Sequence, residues 1–233
     1  MKKRTKWLVV LVVLVFMVAG CGKKSGLEGK VVDGKGQPIS ELKVIAKQVQ
    51  PIKGYEQFEA KTGSDGTFSF SGLYPSSEYV IVIWHKDWST DAKAQVSAGP
   101  EGETILLKEP IQVRYTQSTD GVIADTATAL AWFVGPDNNI TWDQAQAWCG
   151  GLSVAGGGWR MPTRAELETL YIKGLGERNM APAFKTTGCC VWSGEQCDSS
   201  YAWSFGFTTG RGFQNYRDGS LTSDRAFAVR SRK

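Results

Sequence analysis

The 233-residue chain carries 27 Lys and Arg against 23 Asp and Glu, a formal net charge of +4. Lys2, Lys3, Arg4 and Lys6 supply that whole excess, so everything past residue 20 is neutral, which excludes the basic stripe and Lys/Arg surplus of a nucleic-acid binder. The 213 residues that follow position 20 suit one large domain or two small ones. In chain order the first element is a basic n-region, then an apolar run from Leu8 to Val18, then small residues ahead of Cys21. A membrane-spanning helix needs roughly 20 apolar residues. This run is about eleven long, and residues 1–20 are expected to be a secretory signal that is cut away.

Val18-Ala19-Gly20-Cys21 resembles the lipobox of bacterial lipoproteins, where the cysteine thiol is acylated and becomes the new N-terminus. The resemblance implies lipidation of Cys21, a lipidated linker over 21–25 and a place in the cell envelope. Gly22, standing where a retained lipoprotein has Asp, implies the outer membrane, on its periplasmic face or at the cell surface. Several acyl chains on one residue anchor stably where a single chain does not. Four cysteines remain, Cys149, Cys189, Cys190 and Cys197, in a compartment that permits disulfides, and an even count favours two bridges. Joining the adjacent Cys189 and Cys190 would strain the peptide between them. The expected pairs are Cys149 with Cys189 or Cys190, and Cys197 with the other. No pair has the Cys-x-x-Cys spacing of zinc sites, and the single histidine, His85, lies far away in sequence, so no metal is expected.

Composition divides the rest. From Cys21 to Lys108 the cations are eleven Lys and no Arg; from Glu109 onward they are three Lys and nine Arg, and six Trp lie there against two before. The boundary is expected between Lys108 and Val113, around Pro110. The first part reads as short β-rich runs, 27–32, 42–46, 66–70, 79–84, 92–96 and 104–107, separated by turn signals such as Asp33-Gly34, Ser64-Asp65-Gly66 and Tyr74-Pro75-Ser76. That spacing predicts a sandwich. The stretches Gly29-Lys30-Val31-Val32-Asp33, Gly36-Gln37-Pro38-Ile39, Thr62 through Phe70 and Leu73-Tyr74-Pro75 resemble the carboxypeptidase regulatory-like domain, over 26–108. The resemblance implies an Ig-like or prealbumin-like all-β sandwich with nothing catalytic, a spacer that lifts the second domain off the membrane. The alternative is that it binds carbohydrate itself through Trp84 and Trp88.

The second part, 113–233, opens with short apolar runs at 121–125 and 129–134 and a turn at Gly135-Pro136-Asp137-Asn138. Thr141-Trp142-Asp143-Gln144 and Thr163-Arg164-Ala165-Glu166 each fit a capping box and predict helix starts. In the first helix Trp142, Ala145 and Cys149 share a face before Gly150-Gly151; in the second, Leu167, Leu170 and Tyr171 do so before Gly174. Gly-punctuated aromatic segments at 191–193, 201–207, 212–216 and 225–230 predict antiparallel strands. This order, with Ala129-Leu130-Ala131-Trp132, Ala145 to Cys149, Gly158 to Thr163 with Glu166-Leu167, Val191-Trp192-Ser193, Ala202-Trp203 and Val229-Arg230, resembles the Lcl C-terminal domain family. The resemblance implies an α+β, C-type-lectin-like fold, akin to formylglycine-generating enzymes, with two short helices and antiparallel strands. Trp159-Arg160-x-Pro162-Thr163-x-x-Glu166-Leu167 is its most specific motif, structural in role, with Trp159 in the core and a buried partner carboxylate expected for Arg160. Members commonly have a cysteine close to the position of Ser231, so Cys149 is expected to find Cys189 or Cys190 instead.

No catalytic constellation emerges. With His85 in the other domain there is no local Ser-His-Asp or Cys-His set, and Glu166 and Glu168 fall two apart on a helix and face different ways. No cofactor is expected, and Asp137-Asn138-Asn139, the nearest approach to a calcium cluster, reads as a turn. A binding surface needs aromatic and polar groups on a rigid platform, and Trp192, Trp203, Asn215, Tyr216, Arg217 and Asp218 supply that chemistry. The reading is a non-enzymatic envelope lipoprotein, anchored in the membrane through its N-terminal lipid, whose lectin-like domain binds a glycan or another envelope component. The alternatives are a structural part of a surface or appendage assembly and, less favoured, a degenerate enzyme of the formylglycine-generating type.

Overall fold

A computed structural model describes residues 24–219 and 223–232. The expected secretory segment, residues 1–20, and Cys21, the residue expected to be acylated, lie outside the described residues. The chain begins with β1 (Ser25–Asp33), β2 (Lys43–Gln48), β3 (Gln57–Lys61), β4 (Thr67–Leu73), β5 (Glu78–Trp84), β6 (Trp88–Ser89), β7 (Lys93–Ser97), β8 (Thr104–Leu106) and β9 (Ile111–Val113). One sheet runs β4-β1-β8 with β9 also paired to β1; the other runs β3-β2-β5-β7. Alternation builds the core between them. Leu27 and Val31 from β1, Val44 and Ala46 from β2, Phe68 and Phe70 from β4, and Tyr79, Ile81 and Ile83 from β5 all point inward and are buried. Each such large side chain contributes roughly 1.5–3 kcal/mol on burial. The Asp65–Gly66 turn depends on glycine, because Gly66 has φ +78° and a Cβ there would meet the Val31 carbonyl oxygen at 2.5 Å.

Two features differ from the sequence expectation. The polar strand Gln57-Phe58-Glu59-Ala60-Lys61 forms the edge of the second sheet, with only Phe58 and Ala60 turned toward the core. Pairing of β9 with Val31 to Asp33 extends the sandwich to Val113, where the second domain was expected to begin.

The second domain follows as β10 (Tyr115–Ser118), β11 (Ile123–Asp125), β12 (Leu130–Val134), α1 (Trp142–Gly151), α2 (Arg164–Glu168), β13 (Cys190–Gln196), β14 (Tyr201–Gly206), β15 (Arg211–Tyr216), β16 (Asp224–Arg225) and β17 (Phe227–Ser231). Its sheets run β17-β12-β11-β10-β6 and β15-β14-β13-β16. The first therefore includes β6, contributed by the sandwich: Ser89 pairs with Gln117 and Trp88 with Ser118. The Gly34 amide also donates to Thr126 Oγ1 at 2.7 Å, and Thr90 Oγ1 to the Tyr115 carbonyl at 2.8 Å. The strands are not all antiparallel, since β13 and β16 run parallel.

Both capping boxes form. Thr141 accepts from the Gln144 amide at 3.1 Å and Thr163 from the Glu166 amide at 3.1 Å, and each Gln144 or Glu166 side chain reaches back to the cap. The second helix is shorter than expected: Leu170 is buried beyond its end, at a turn after Glu168. Trp132, Leu167, Leu170, Phe205, Phe227 and Val229 form one core, and Trp142, Cys149, Trp159, Met161 and Trp192 a second.

The cysteines overturn the expected cross-links. Cys189 and Cys190 meet each other at the head of β13, while Cys149 and Cys197 are free thiols. The reason is geometric: α1 turns Cys149 into the core under β17, where its Sγ contacts the Phe227 carbonyl at 3.6 Å, and Cys197 lies beyond the far end of β13. Burial pushes the Cys149 thiol up to about 12. Because the thiolate is the reactive form, iodoacetamide at pH 8 should modify Cys197 in the folded protein and spare Cys149 until denaturant is added. Peptide mass mapping checks this, and equal labelling of both in the native state contradicts the placement.

Candidate functional site

The sequence candidates separate into those the fold uses internally and those it brings to a surface. Trp192 is fully buried, and its indole Nε1 donates to the Ile140 carbonyl at 2.8 Å. It is a core residue. Asn215 turns its amide inward, donating to Ser204 Oγ at 2.9 Å and to the buried Asp224 carboxylate at 3.0 Å. Trp203 is half-buried with the Arg164 guanidinium 3.9 Å over its ring, and Glu195 holds Arg164 there through Nε at 2.6 Å. Trp192 and Asn215 are turned to internal partners, and Arg164 covers one face of Trp203.

Tyr216, Arg217 and Asp218 do line one groove, of about 520 Å³, together with Thr141, Asp143, Ser199 and Ser200. Three local structures converge on it. Strand β15 ends at Tyr216, opposite Tyr201 in register, and the two rings lie 4.4 Å apart. A hydrogen bond with Tyr216 is the main cause raising the Tyr201 phenol above the usual tyrosine range. Asp198 Oδ1 accepts from the amides of Ser200 and Tyr201 at 2.7 and 2.8 Å, which fixes the Ser199-Ser200 turn on the facing wall. The third wall is the first turn of α1. Its Trp142 amide, an orphan donor in an isolated helix, donates to the Arg217 carbonyl at 2.8 Å.

Arg217 stands at the centre. Its guanidinium ion-pairs with Asp143, donates to the Ser199 carbonyl at 3.4 Å, and lies 4.5 Å over the Trp142 ring. Its Nε is buried without a partner. The groove is thus a rigid polar surface with an exposed tyrosine at one edge, hydroxyls of two serines and a threonine around it, and a guanidinium in the floor. Sequence reasoning took Thr141 only for its cap and passed over Asp143, Ser199 and Ser200. The Asp198-Ser199-Ser200 run before Tyr201 was the available signal.

The other polar clusters are internal supports. Arg160 makes a bidentate pair with Glu166, at 2.8 and 2.6 Å, so its carboxylate comes from the capping box of the same motif, but the pair lies at the surface rather than buried as expected, with the Arg160 side chain half exposed. Trp159 is buried, and Pro162 precedes the cap. Asp137 and Asn139 both serve Arg225: Nε meets Asp137 Oδ1 at 2.8 Å and a terminal nitrogen meets Asn139 Oδ1 at 2.6 Å. A guanidinium sits where a cation would. Among the described residues no group of three His, Cys, Asp or Glu side chains is placed to hold a metal ion.

An Ig-like sandwich joined to a β-rich domain with two short helices defines a two-module protein whose polar groove lies on the second module. Residues 26–107 match the carboxypeptidase regulatory-like domain and residues 121–230 match the Lcl C-terminal domain, in that order along the chain. No curated protein matches the chain. Among solved structures, the Bacillus anthracis TIE protein is similar over 40% of this chain and 17% of its own, at 11% identity and a TM-score of 0.30. A DUF3823 family protein from Parabacteroides merdae is similar over 48% and 58%, at 18% identity and 0.31. The full-length major pilin SpaD from Corynebacterium diphtheriae is similar over 50% and 38%, at 13% identity and 0.31. The chain spans less than two thirds of the length of each of the three.

Proposed function

We propose that the protein is a non-enzymatic, lipid-anchored component of the cell envelope whose C-terminal, lectin-like domain binds an extracellular ligand, a glycan or another envelope component, in the groove around Arg217. The groove's chemistry carries the reading. Sugar hydroxyls take directed hydrogen bonds, which Ser199, Ser200, Thr141 and the Asp143–Arg217 pair offer, and the exposed Tyr216 ring adds an apolar edge. The groove is pre-organised, so little side-chain freedom is lost on binding. The pairing of an Ig-like module with an Lcl C-terminal domain suits a surface or structural protein. The module's His85 is stacked on Trp88 at 4.5 Å, engaged in the sandwich rather than beside the groove.

A glycan array probed with the full-length protein in detergent tests the reading. Arg217→Ala should weaken binding about tenfold, the usual cost of truncating an Arg at the centre of an interface, and Tyr216→Ala, at the groove's edge, should weaken it by about threefold. Phe213→Ala, at an exposed position of β15 outside the groove, should leave it unchanged. Absence of binding to any glycan, with an envelope protein co-purifying instead, favours the assembly alternative.

A further inference from the structure

We propose that the end of the sandwich beside Lys24 seats on the lipid bilayer, with Val49 and Ile52 entering its apolar boundary. The proposal rests on the reading of Cys21 as the lipid anchor, and it adds a protein surface to that anchor. Strand topology defines the end. Ser25, at the start of β1, is opposite Leu73, at the end of β4, and Gln48, at the end of β2, is opposite Tyr79, near the start of β5. Glu78 of β5 is opposite Ser97 of β7. The loops 49–56, 74–77 and 98–103 therefore surround the point where the described chain starts, and the Gly102 amide donates to the Lys24 carbonyl at 2.9 Å. The strand ends Asp33 and Trp84 are at the opposite end, near the junction with the second domain.

Apolar side chains are exposed on this end. Val49 is 45% and Ile52 38% exposed, with Pro51 exposed between them. Their loop is stapled rather than loose: the Val49 amide donates to the Glu78 carbonyl, Tyr55 to Ile52, and Ile52 to Gln48 Oε1 at 2.7 Å. That last bond turns Gln48 Nε2 the other way. This nitrogen is buried without a partner, and Gln48 lines a groove of about 360 Å³ with Val49, Ile52 and Ser76 to Glu78. Lys24 and Lys53 are exposed on this end together with Glu56, Glu78, Glu101 and Glu103, so the aliphatic side chains and the anchor, not net charge, carry the seat. Glu101, exposed on the neighbouring loop, keeps that edge at headgroup level.

The anchor and the small apolar area both favour a bilayer over a protein partner. Cys21 is three residues from Lys24, and at no more than about 3.6 Å per residue its acyl chains hold this end within about 11 Å of the interface. Two exposed aliphatic side chains fall far short of the roughly 800 Å² per partner of a stable protein interface.

The test uses the full chain, recovered from membranes and reconstituted in vesicles of phosphatidylethanolamine and phosphatidylglycerol, with a photo-crosslinking residue at one position. Ile52→p-benzoylphenylalanine should yield about tenfold more phospholipid adduct than Trp84→p-benzoylphenylalanine, whose site lies about 20 Å away along β5. With the probe moved to Gln50, adding Val49→Asp and Ile52→Asp should cut the adduct about fivefold. Intact-mass measurement of the same samples reports acylation of Cys21. Acylated protein with equal adduct at positions 52 and 84, or with no loss in the double Asp variant, overturns the seat and leaves the anchor standing. Protein without lipid on Cys21 overturns the anchor reading and the seat with it.

Discussion

Trp192→Ala should lower the stability of the C-terminal domain by about 3–5 kcal/mol, the usual cost of emptying a buried Trp site. The ring is fully buried in the core that also holds Trp142, Trp159 and Met161, and β13 and β14 fix it in register opposite Ser204. Two indoles tie the same region together: Trp192 donates to Ile140, just before α1, and Trp142, the first residue of α1, donates to Ser193 at 2.8 Å. Truncation removes the apolar volume and leaves the Ile140 carbonyl without its donor. Trp192→Phe keeps most of the volume and should cost less, about 1–3 kcal/mol for the unsatisfied acceptor. Urea midpoints of the two variants measure the difference. If Trp192→Ala moves stability by less than about 1 kcal/mol, the side chain is not holding a close-packed core.

That placement shows which part of the site was legible from residue types alone. Tyr216, Arg217 and Asp218 are adjacent in sequence, and a turn after a strand brings adjacent residues to one surface, so composition located them. Trp192 and Trp203 carry the same aromatic chemistry but alternate along strands whose faces are set by long-range pairing. No local pattern distinguishes a Trp under Ile140 from one under Arg164. The helix starts were legible because a capping box is complete within four residues, as at Thr141 and Thr163. The ends of α2 were less so, because Leu170 is buried by tertiary packing in a turn that continues the helical spacing. Cysteine pairing failed for a related reason: the count suggests bridges, but the orientation of α1 decides whether Cys149 looks toward another thiol or into the core. Strand β6 shows the limit of domain division by composition. Trp88 and Ser89 belong to the Lys-rich part of the chain yet complete a sheet of the Arg-rich part.

Arg225→Ala should cost about 2–4 kcal/mol, with a pH signature that separates it from a simple packing defect. The Arg225 side chain is only 9% exposed and draws together segments far apart in sequence: Asp137 and Asn139 before α1, Thr187 before β13, and the Ser223 carbonyl beside β16. Gly188 makes room for it, since a Cβ there would meet Arg225 Cγ at 2.6 Å. The bond from Arg225 is the largest cause holding the Asp137 carboxyl well below the usual carboxylate range, with Thr186 and Thr187 adding to it. A carboxyl lowered in the folded state stabilises the protein above its unfolded value, near pH 4, and loses that contribution as pH falls through the folded value. Asp137 is 38% exposed, so solvent screens the pair and the pH-dependent part is the smaller share. The stability gap between the wild type and Arg225→Ala should therefore be full at pH 7, begin to narrow below about pH 4, and keep narrowing toward pH 2, because the unfolded chain takes up a proton at Asp137 that the folded wild type refuses, while the variant, left with Thr186 and Thr187 alone, has less of that contribution to lose. The gap between the wild type and Asp137→Asn should be smaller at pH 7, because the amide keeps part of the hydrogen bonding, and should narrow at least as much over the same range, because that variant has no carboxyl there to titrate. Urea midpoints at pH 7, 4 and 3 read the three curves, and a gap between wild type and Arg225→Ala that stays constant with pH means the guanidinium acts through packing rather than through its charge on Asp137.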